Sequence, residues 1–332
     1  GFVTECRRGQ IRMTCAIFQV SSDQAREFWR QQRDARIFLN PEVLEPLCQR
    51  VDWWLATWKE HPVCLWPMCT THDGQHRPPE LSAYVGPLWD DSVLQNKAAR
   101  WWSITRCVQQ QFLEVFLQRY REFTFELPPE TQDIRVFQWF QDAGDGKWQV
   151  KITCRHTAVM TLPVAGNEDV LLSQFSRNRV KDIRRMRRSA CFNEWSHPDA
   201  SALFSLYESM LQRKARGAHA QSRQLEVREL ARLATSGFGR VVAHRDETKD
   251  QFSFVLSLHT STTASLVLAA SSHAANCQGT QAFVQHELLL RSMAQGIRNI
   301  DFLGANSQVG AEEKHRYGAW PLIYFRVTVS SP

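Results

Sequence analysis

The chain holds 332 residues, 43% hydrophobic and 22% charged, with 40 Lys and Arg against 34 Asp and Glu. That length exceeds what one hydrophobic core ordinarily serves, so two domains of about 150 residues each are expected, and the composition excludes a disordered chain. No apolar run reaches the roughly 18 residues of a membrane span, and Arg7, Arg8 and Arg12 stand where a signal peptide would need apolar residues, so a cytoplasmic chain without a membrane span is expected.

In chain order, Ser21-Ser22-Asp23 caps a helix over 24–33 with Phe28 on its apolar face. Asn40-Pro41 opens a second helix that carries Leu44, Leu47, Val51 and Trp54. Residues 63–70 read as a buried strand, and 71–79, with Gly74, Pro78 and Pro79, as a loop. Cys64, Cys69, His72 and His76 offer zinc's preferred ligand atoms. Their spacing matches no standard finger, however, and Cys64 sits in the apolar run Val63-Cys64-Leu65-Trp66, so a core cysteine is expected and no metal. The nine cysteines are scattered singly and odd in number, which fits a reducing compartment and no disulfide framework. Residues 96–120 form a long helix with Ile104, Val108, Phe112, Val115 and Phe116 facing a core. Strands follow at 123–127, stopped by Pro128-Pro129, and at 150–162, stopped by Pro163.

The composition then changes. From Arg177 to Arg188 the chain has seven basic residues and one acidic residue, Asp182. On a helix, Arg177, Lys181, Arg184 and Arg188 make one stripe, while Val180 and Ile183 lie on another face. A hinge near 191–199 divides the chain into lobes 1–190 and 191–332. A helix runs from Asp199 through Leu211 and ends in Arg213, Lys214 and Arg216. Next come a helix over 225–233, strands at 238–243, 252–259 and 264–270, and a helix over 280–295 closed by Gly296. Strands at 299–303 and 321–329 end the chain. A run of strands, then helix and strand, describes α+β sheets of mixed direction rather than a doubly wound fold.

Motifs for several chemistries are missing. There is no P-loop, no G-x-S-x-G and no dinucleotide G-x-G-x-x-G, and Leu290 stands where a zinc-protease motif starting at His286-Glu287 needs its second His. The informative segment is Gly296 to Ala305, which contains Asp301-Phe302-Leu303-Gly304, followed by Lys314-His315-Arg316-Tyr317-Gly318-Ala319. Here the chain resembles the FemABX-like branch of the GNAT acyltransferase superfamily, in which a helix ends in Gly, a strand reads D-F-x-G and a loop carries K-x-x-F/Y-G. Asp133-Ile134-Arg135 with Trp139, His156-Thr157 with Leu162, and the basic segment 173–190 resemble further family segments in the same order. The likeness therefore runs from Phe28 to Val329.

The resemblance implies two tandem GNAT-like lobes, each a mixed sheet flanked by helices, that form an amide bond. The leading expectation is transfer of an aminoacyl group from aminoacyl-tRNA to an amine of a small-molecule or peptide-like acceptor. The alternative is an acyl-CoA-dependent N-acyltransferase, and neither reading needs a tightly bound cofactor. By the resemblance, Lys314 stabilises the leaving group or the tetrahedral oxyanion. Asp301 orients the amine or, equally, caps the loop backbone. Thr157, Asn306, Tyr317 and Gly318 contact substrate, and Arg177, Arg179, Lys181, Arg184 and Arg188 seat the tRNA acceptor end. The chain departs from ordinary GNAT enzymes at Ala275-Asn276-Cys277-Gln278-Gly279-Thr280, which keeps only one glycine of the turn that holds the CoA pyrophosphate. A non-enzymatic RNA-binding module would account for the arginines and the twelve tryptophans. The tryptophans crowd the first half, though (Trp53, Trp54, Trp58, Trp66, Trp89, Trp101 and Trp102), where core or an apolar pocket is the expected role.

Overall fold

A computed structural model describes residues 15–331 except 34, 132, 144–147, 165–166, 190–191, 214–219 and 278. Lys214 and Arg216, expected at the end of the helix that starts at Asp199, lie outside the described residues. The chain runs β1 (Cys15–Val20), α1 (Ser22–Gln31), α2 (Pro41–Leu44), β2 (Arg50–Trp58), β3 (His61–Thr70), β4 (Leu88–Trp89), α3 (Asp91–Leu94), α4 (Ala98–Arg119), β5 (Glu122–Leu127), α5 (Arg135–Ala143) and β6 (Gln149–Thr161). It continues through α6 (Glu168–Ser173), α7 (Arg177–Arg187), β7 (Asn193–Glu194), α8 (Ala200–Arg213), α9 (Ala220–Leu233), β8 (Gly239–Asp246), β9 (Gln251–His259) and β10 (Thr263–Ser271). The last elements are α10 (His273–Cys277), α11 (Thr280–Ala294), β11 (Asn299–Asp301), α12 (Gln308–His315) and β12 (Trp320–Ser330).

Contacts divide the chain into two compact units, Gly1–Cys154 with Tyr324–Pro332, and Arg155–Ile323. This division differs from the expected one at 190/191. Helix α7, expected to close the first lobe as a linker, lies inside the second unit, where Ile183 and Met186 are buried in one cluster with Val284 and Leu288 of α11. The change in composition marks the outer face of a helix, and its apolar face decides which core it joins.

In the first unit, β1 to β4 form an antiparallel sheet in sequence order, and β5 pairs with residues 325–330 of β12. Ser21 and Gln24 close a capping box at α1, and the Asn40 side chain accepts the Glu42 N–H with Pro41 at the first helical position. The helix begun there continues as a 3-10 turn over Glu45–Leu47 and stops, and Val51 to Trp54 lie in β2 instead. A β-branched residue followed by two tryptophans favours the pleated, half-buried surface of a strand. Trp66 anchors the core, its ring 4.9 Å from both Phe112 and Phe125. Trp53, Trp54, Trp58 and Trp89 are buried as well, so these tryptophans serve as core. Cys64 is fully buried while His72 is exposed. Among the described residues no group of three or more His, Cys, Asp or Glu is placed to hold a metal ion.

In the second unit the strand order is β6-β11-β10-β9-β8-β7. Every neighbouring pair is antiparallel except β10 and β11. That parallel pair is short, joining Thr263–Ser265 to Asn299–Asp301. Just beyond it, β10 carries a bulge between Leu266 and Leu268, which bends the strand away. Two parallel strands that part in this way open a wedge in the sheet. Each unit mixes helices with sheet, the α+β class that the element order predicts. No described helix is long and apolar enough to cross a membrane.

Candidate active site in the second unit

The wedge opens into a cleft of about 920 Å³ whose lining residues all belong to the second unit. Leu266, Val267 and Ala269 of β10 form one wall, and Phe302, Gly304 and the first turn of α12 form another.

The loop after β11 is assembled by polar side chains. Asp301 ends the strand, and its carboxylate accepts the Thr157 hydroxyl at 2.5 Å and the Leu303 N–H at 2.9 Å. Both side chains are buried and neither lines the cleft. Of the two roles expected for Asp301, the capping contact is the one its geometry displays. Asn306 accepts the His156 N–H at 2.7 Å, and the Ala305 N–H donates to the His156 carbonyl at 2.7 Å. These bonds continue the pairing with β6 past the end of β11. Gly318 has φ +82°, and a Cβ there would stand 2.7 Å from the Gln174 carbonyl oxygen, so only glycine fits. Thr157, Asp301, Asn306 and Gly318 thus build the frame that carries the cleft residues.

Lys314 sits near the end of α12 rather than on a loop, because the Ser307 hydroxyl accepts the Gly310 N–H and starts a helix there. Leu303 and Gly304 have φ of +49° and +37°, and both turn their carbonyls to the Lys314 ammonium, Gly304 O at 2.7 Å. Lys314 therefore lines the cleft with its charge fixed to two backbone oxygens.

Tyr317 also lines the cleft. Its ring stacks on Phe302 at 5.7 Å and meets Phe175 edge-on at 5.4 Å, with the Arg179 guanidinium 5.7 Å from its centroid. The residue is fully buried, yet its hydroxyl has no hydrogen-bond partner. Burial above all, reinforced by the Glu313 carboxylate and opposed by Arg179, holds the phenol well above its ordinary pKa. It remains a proton-bearing donor at neutral pH.

The basic helix α7 divides its residues between two faces. Arg179, Asp182 and Arg185, three apart, line the cleft. Arg177, Lys181, Arg184 and Arg188 are exposed on the helix exterior, where Arg188 Nε donates to the Arg184 carbonyl at 3.1 Å. Inside the cleft the cations are matched: Arg179 pairs with Asp182 at 3.2 Å and with Glu313, and Arg185 pairs with Asp182 at 2.9 Å. Asp182 also packs on Gly279, the N-cap of α11, where a Cβ would stand 2.5 Å from the Asp182 carboxyl carbon. The start of α11, with no side-chain cap of its own, is an electropositive seat for an anion. This chain's own carboxylate lies against it.

Residues 176–315 match the model of the GNAT acetyltransferase domain. The second unit carries a GNAT-type domain. Nearly the whole length of the chain follows solved structures, one of them a tandem GNAT protein. FemX superposes with a TM-score of 0.62 at 11% identity over 94% of this chain and 96% of that one. A tandem GNAT protein from the clavulanic acid biosynthesis pathway gives 0.55 at 10% identity over 96% and 98%. A conserved protein of unknown function from Bacteroides thetaiotaomicron gives 0.57 at 10% identity over 96% and 100%. At such identities the likeness is one of fold. No curated protein matches the sequence. The FemX-like, tandem GNAT architecture expected from the motifs is thus present.

Of the expected site residues, Arg179, Lys314 and Tyr317 line the cleft. Sequence reasoning passed over Asp182, Gln285 and the bulge in β10. Gln285 carried a signal, since it interrupts the apolar series Phe283, Val284, Leu288 one turn after Gln281. Asp182 carried a fainter one, as the only acid in a basic segment.

Proposed function

We propose that this transferase forms amide bonds, moving an aminoacyl group from aminoacyl-tRNA to an amine of a small-molecule or peptide-like acceptor. The observation that carries the choice of donor is the Asp182 carboxylate against Gly279 at the start of α11. A diphosphate held by that helix start would meet a carboxylate already lodged there. The nearest cations, Arg179 and Arg185, are already paired. An ester at the 3′ end of an RNA brings no diphosphate. Its backbone phosphates suit the exposed stripe Arg177, Lys181, Arg184 and Arg188. Such a donor places the reaction in the cytoplasm.

In this reading the acceptor amine attacks the ester carbonyl within the cleft, the new C–N bond replaces the C–O bond to the RNA's terminal ribose, and the proton lost by the amine ends on the released ribose hydroxyl. The Tyr317 hydroxyl donates a hydrogen bond to the oxygen that gains charge, in surroundings dry enough for that bond to count. Lys314 holds the Leu303 and Gly304 carbonyls in place and adds positive potential to the wall. Asp301 and Thr157 keep that loop in register. No tightly bound cofactor takes part.

The test supplies the protein with charged tRNAs or with acyl-CoAs, together with an amine mixture, and follows new amides by mass spectrometry. Ribonuclease should abolish the activity. Turnover that survives nuclease and needs acyl-CoA would replace this reading with an N-acyltransferase, which the match to an acetyltransferase domain favours. A pure RNA-binding module would keep its affinity after Lys314→Ala and show no turnover with either donor.

A further inference from the structure

The cleft holds a second buried polar group that the transfer step leaves unused. Gln285 of α11 lines the same cleft as Tyr317. It is 8% exposed, and its Oε1 has no hydrogen-bond partner. Gln281, one turn earlier, shows what the scaffold ordinarily provides on this helix. Its Oε1 accepts the Ser271 hydroxyl at 2.7 Å and the Ser253 hydroxyl at 3.1 Å, and its Nε2 donates to the Phe254 carbonyl at 3.3 Å. Gln285 receives none of these. The cleft is lined by Leu266, Val267 and Phe302 together with polar side chains, and none of these donates to the Gln285 oxygen. A buried amide oxygen left without a donor is unfavourable in the empty protein, and a ligand that supplies a donor removes that cost.

We propose that Gln285 reads a hydrogen-bond donor on the carbon next to the transferred carbonyl, so that the cleft selects amino- or hydroxy-substituted acyl groups over plain alkyl ones. This assignment rests on the acyl-transfer reading and adds the residue that sets its specificity. The cleft then offers complementary groups: Tyr317 donates to an oxygen of the reacting ester, and Gln285 accepts from the adjacent N–H or O–H. An alkyl acyl group of equal size fills the space and leaves the Gln285 oxygen unpaired. A site that loses a buried hydrogen-bond partner discriminates more strongly than one that merely loses a methylene. A preference of roughly 10- to 100-fold in affinity is expected.

The experiment titrates the intact protein with glycinamide, glycolamide and propionamide, which are nearly isosteric, and follows binding by ligand-observed NMR. Wild type should bind at least one of the first two about 10-fold or more tightly than propionamide. Glycinamide ahead of glycolamide identifies an amino group as the feature read, and the reverse order identifies a hydroxyl. Gln285→Met, which keeps the volume, should abolish the preference. Gln285→Glu, which keeps an acceptor, should retain it, and this variant carries the test if the methionine protein does not fold. Equal binding of all three amides, binding of none, or a preference that survives Gln285→Met overturns the assignment. No donor is consumed, so this outcome is separate from failure of the transfer reading, which would show as no amide formed from either charged tRNA or acyl-CoA.

Discussion

Replacing Tyr317 with Phe separates catalysis from stability in a way few active-site changes do. The ring would keep its stacking on Phe302 and its edge contact with Phe175. The deleted oxygen is fully buried and makes no hydrogen bond, so no bond is lost with it. Removing an unsatisfied buried polar group relieves about 1–3 kcal/mol, set against the small void left by one oxygen. The melting temperature of Tyr317→Phe should therefore match or exceed that of wild type. Turnover should fall, because a donor aimed at a developing oxyanion is worth about 100- to 1,000-fold in kcat, or ~3–4 kcal/mol. The assay measures amide formation at saturating donor beside a thermal melt of the same preparation. The phenol is held above its ordinary value, so its titration should cost wild type no rate below about pH 10. Wild-type turnover in the Phe variant would show the hydroxyl to be idle. A loss of more than about 1 kcal/mol in stability would show that it serves the fold, since an orphan group has no bond to lose.

Other consequences follow from charge and burial. Asp182→Asn removes the carboxylate at the start of α11 and should strengthen CoA binding by about 10-fold or more in calorimetry; unchanged affinity would mean that Asp182 does not guard that seat. Replacing Arg177, Lys181 and Arg184 with Ala should weaken tRNA binding and make the log–log salt dependence shallower by roughly two to three units, and an unaltered slope would place the RNA elsewhere. His286 is fully buried, and burial first, with help from Arg187 and against Glu168, lowers its pKa to about 4. The unfolded chain, whose histidine titrates near about 6.5, then takes up the proton more readily than the folded one. The His286 contribution to stability is thus complete above about pH 6.5 and declines as the pH falls, by ~3 kcal/mol near pH 4. His286→Gln should flatten the unfolding free energy across that window in urea titrations, and an unchanged slope would assign the acid sensitivity to other groups.

The GNAT-like frame was legible because its signals are local. Ser21 with Gln24, Pro41 after Asn40, and the spacing of Ile104, Val108 and Phe112 each fix an element within a turn or two of chain. The misplaced helix past Leu47 shows the limit. Leu44, Leu47 and Val51 keep a helical spacing, but pairing with β3 over nine registered positions, which depends on residues far along the chain, makes 50–58 a strand. The basic segment shows the same limit for function. Counting arginines predicted a charged helix but could not say which ones face the cleft. That depends on the burial of Ile183 and Met186 against α11, which turns Arg179 inward, sets the exposed Arg185 beside the cleft and leaves Arg177, Lys181 and Arg184 outside.

The site itself was legible as a segment rather than as a set of roles. Lys314 and Tyr317 fall in one cleft, as a shared motif implied, but the charge is fixed to the Leu303 and Gly304 carbonyls while the phenol stands unpaired. Motif spacing cannot reveal this, because whether a polar group is satisfied depends on atoms brought in by other strands and helices. Asp301, Thr157, Asn306 and Gly318 sit beside those residues in sequence or sheet, and each has a partner within the frame: a hydroxyl, a backbone N–H or a carbonyl in close contact. Among the described residues, Tyr317 and Gln285, together with Arg179 through its Nε, line the cleft and keep a buried polar atom with something left to bind. In a close-packed interior, hydrogen-bonding capacity left unused beside an open cavity is the feature that separates a residue built to meet a ligand from one built to hold the loop that meets it.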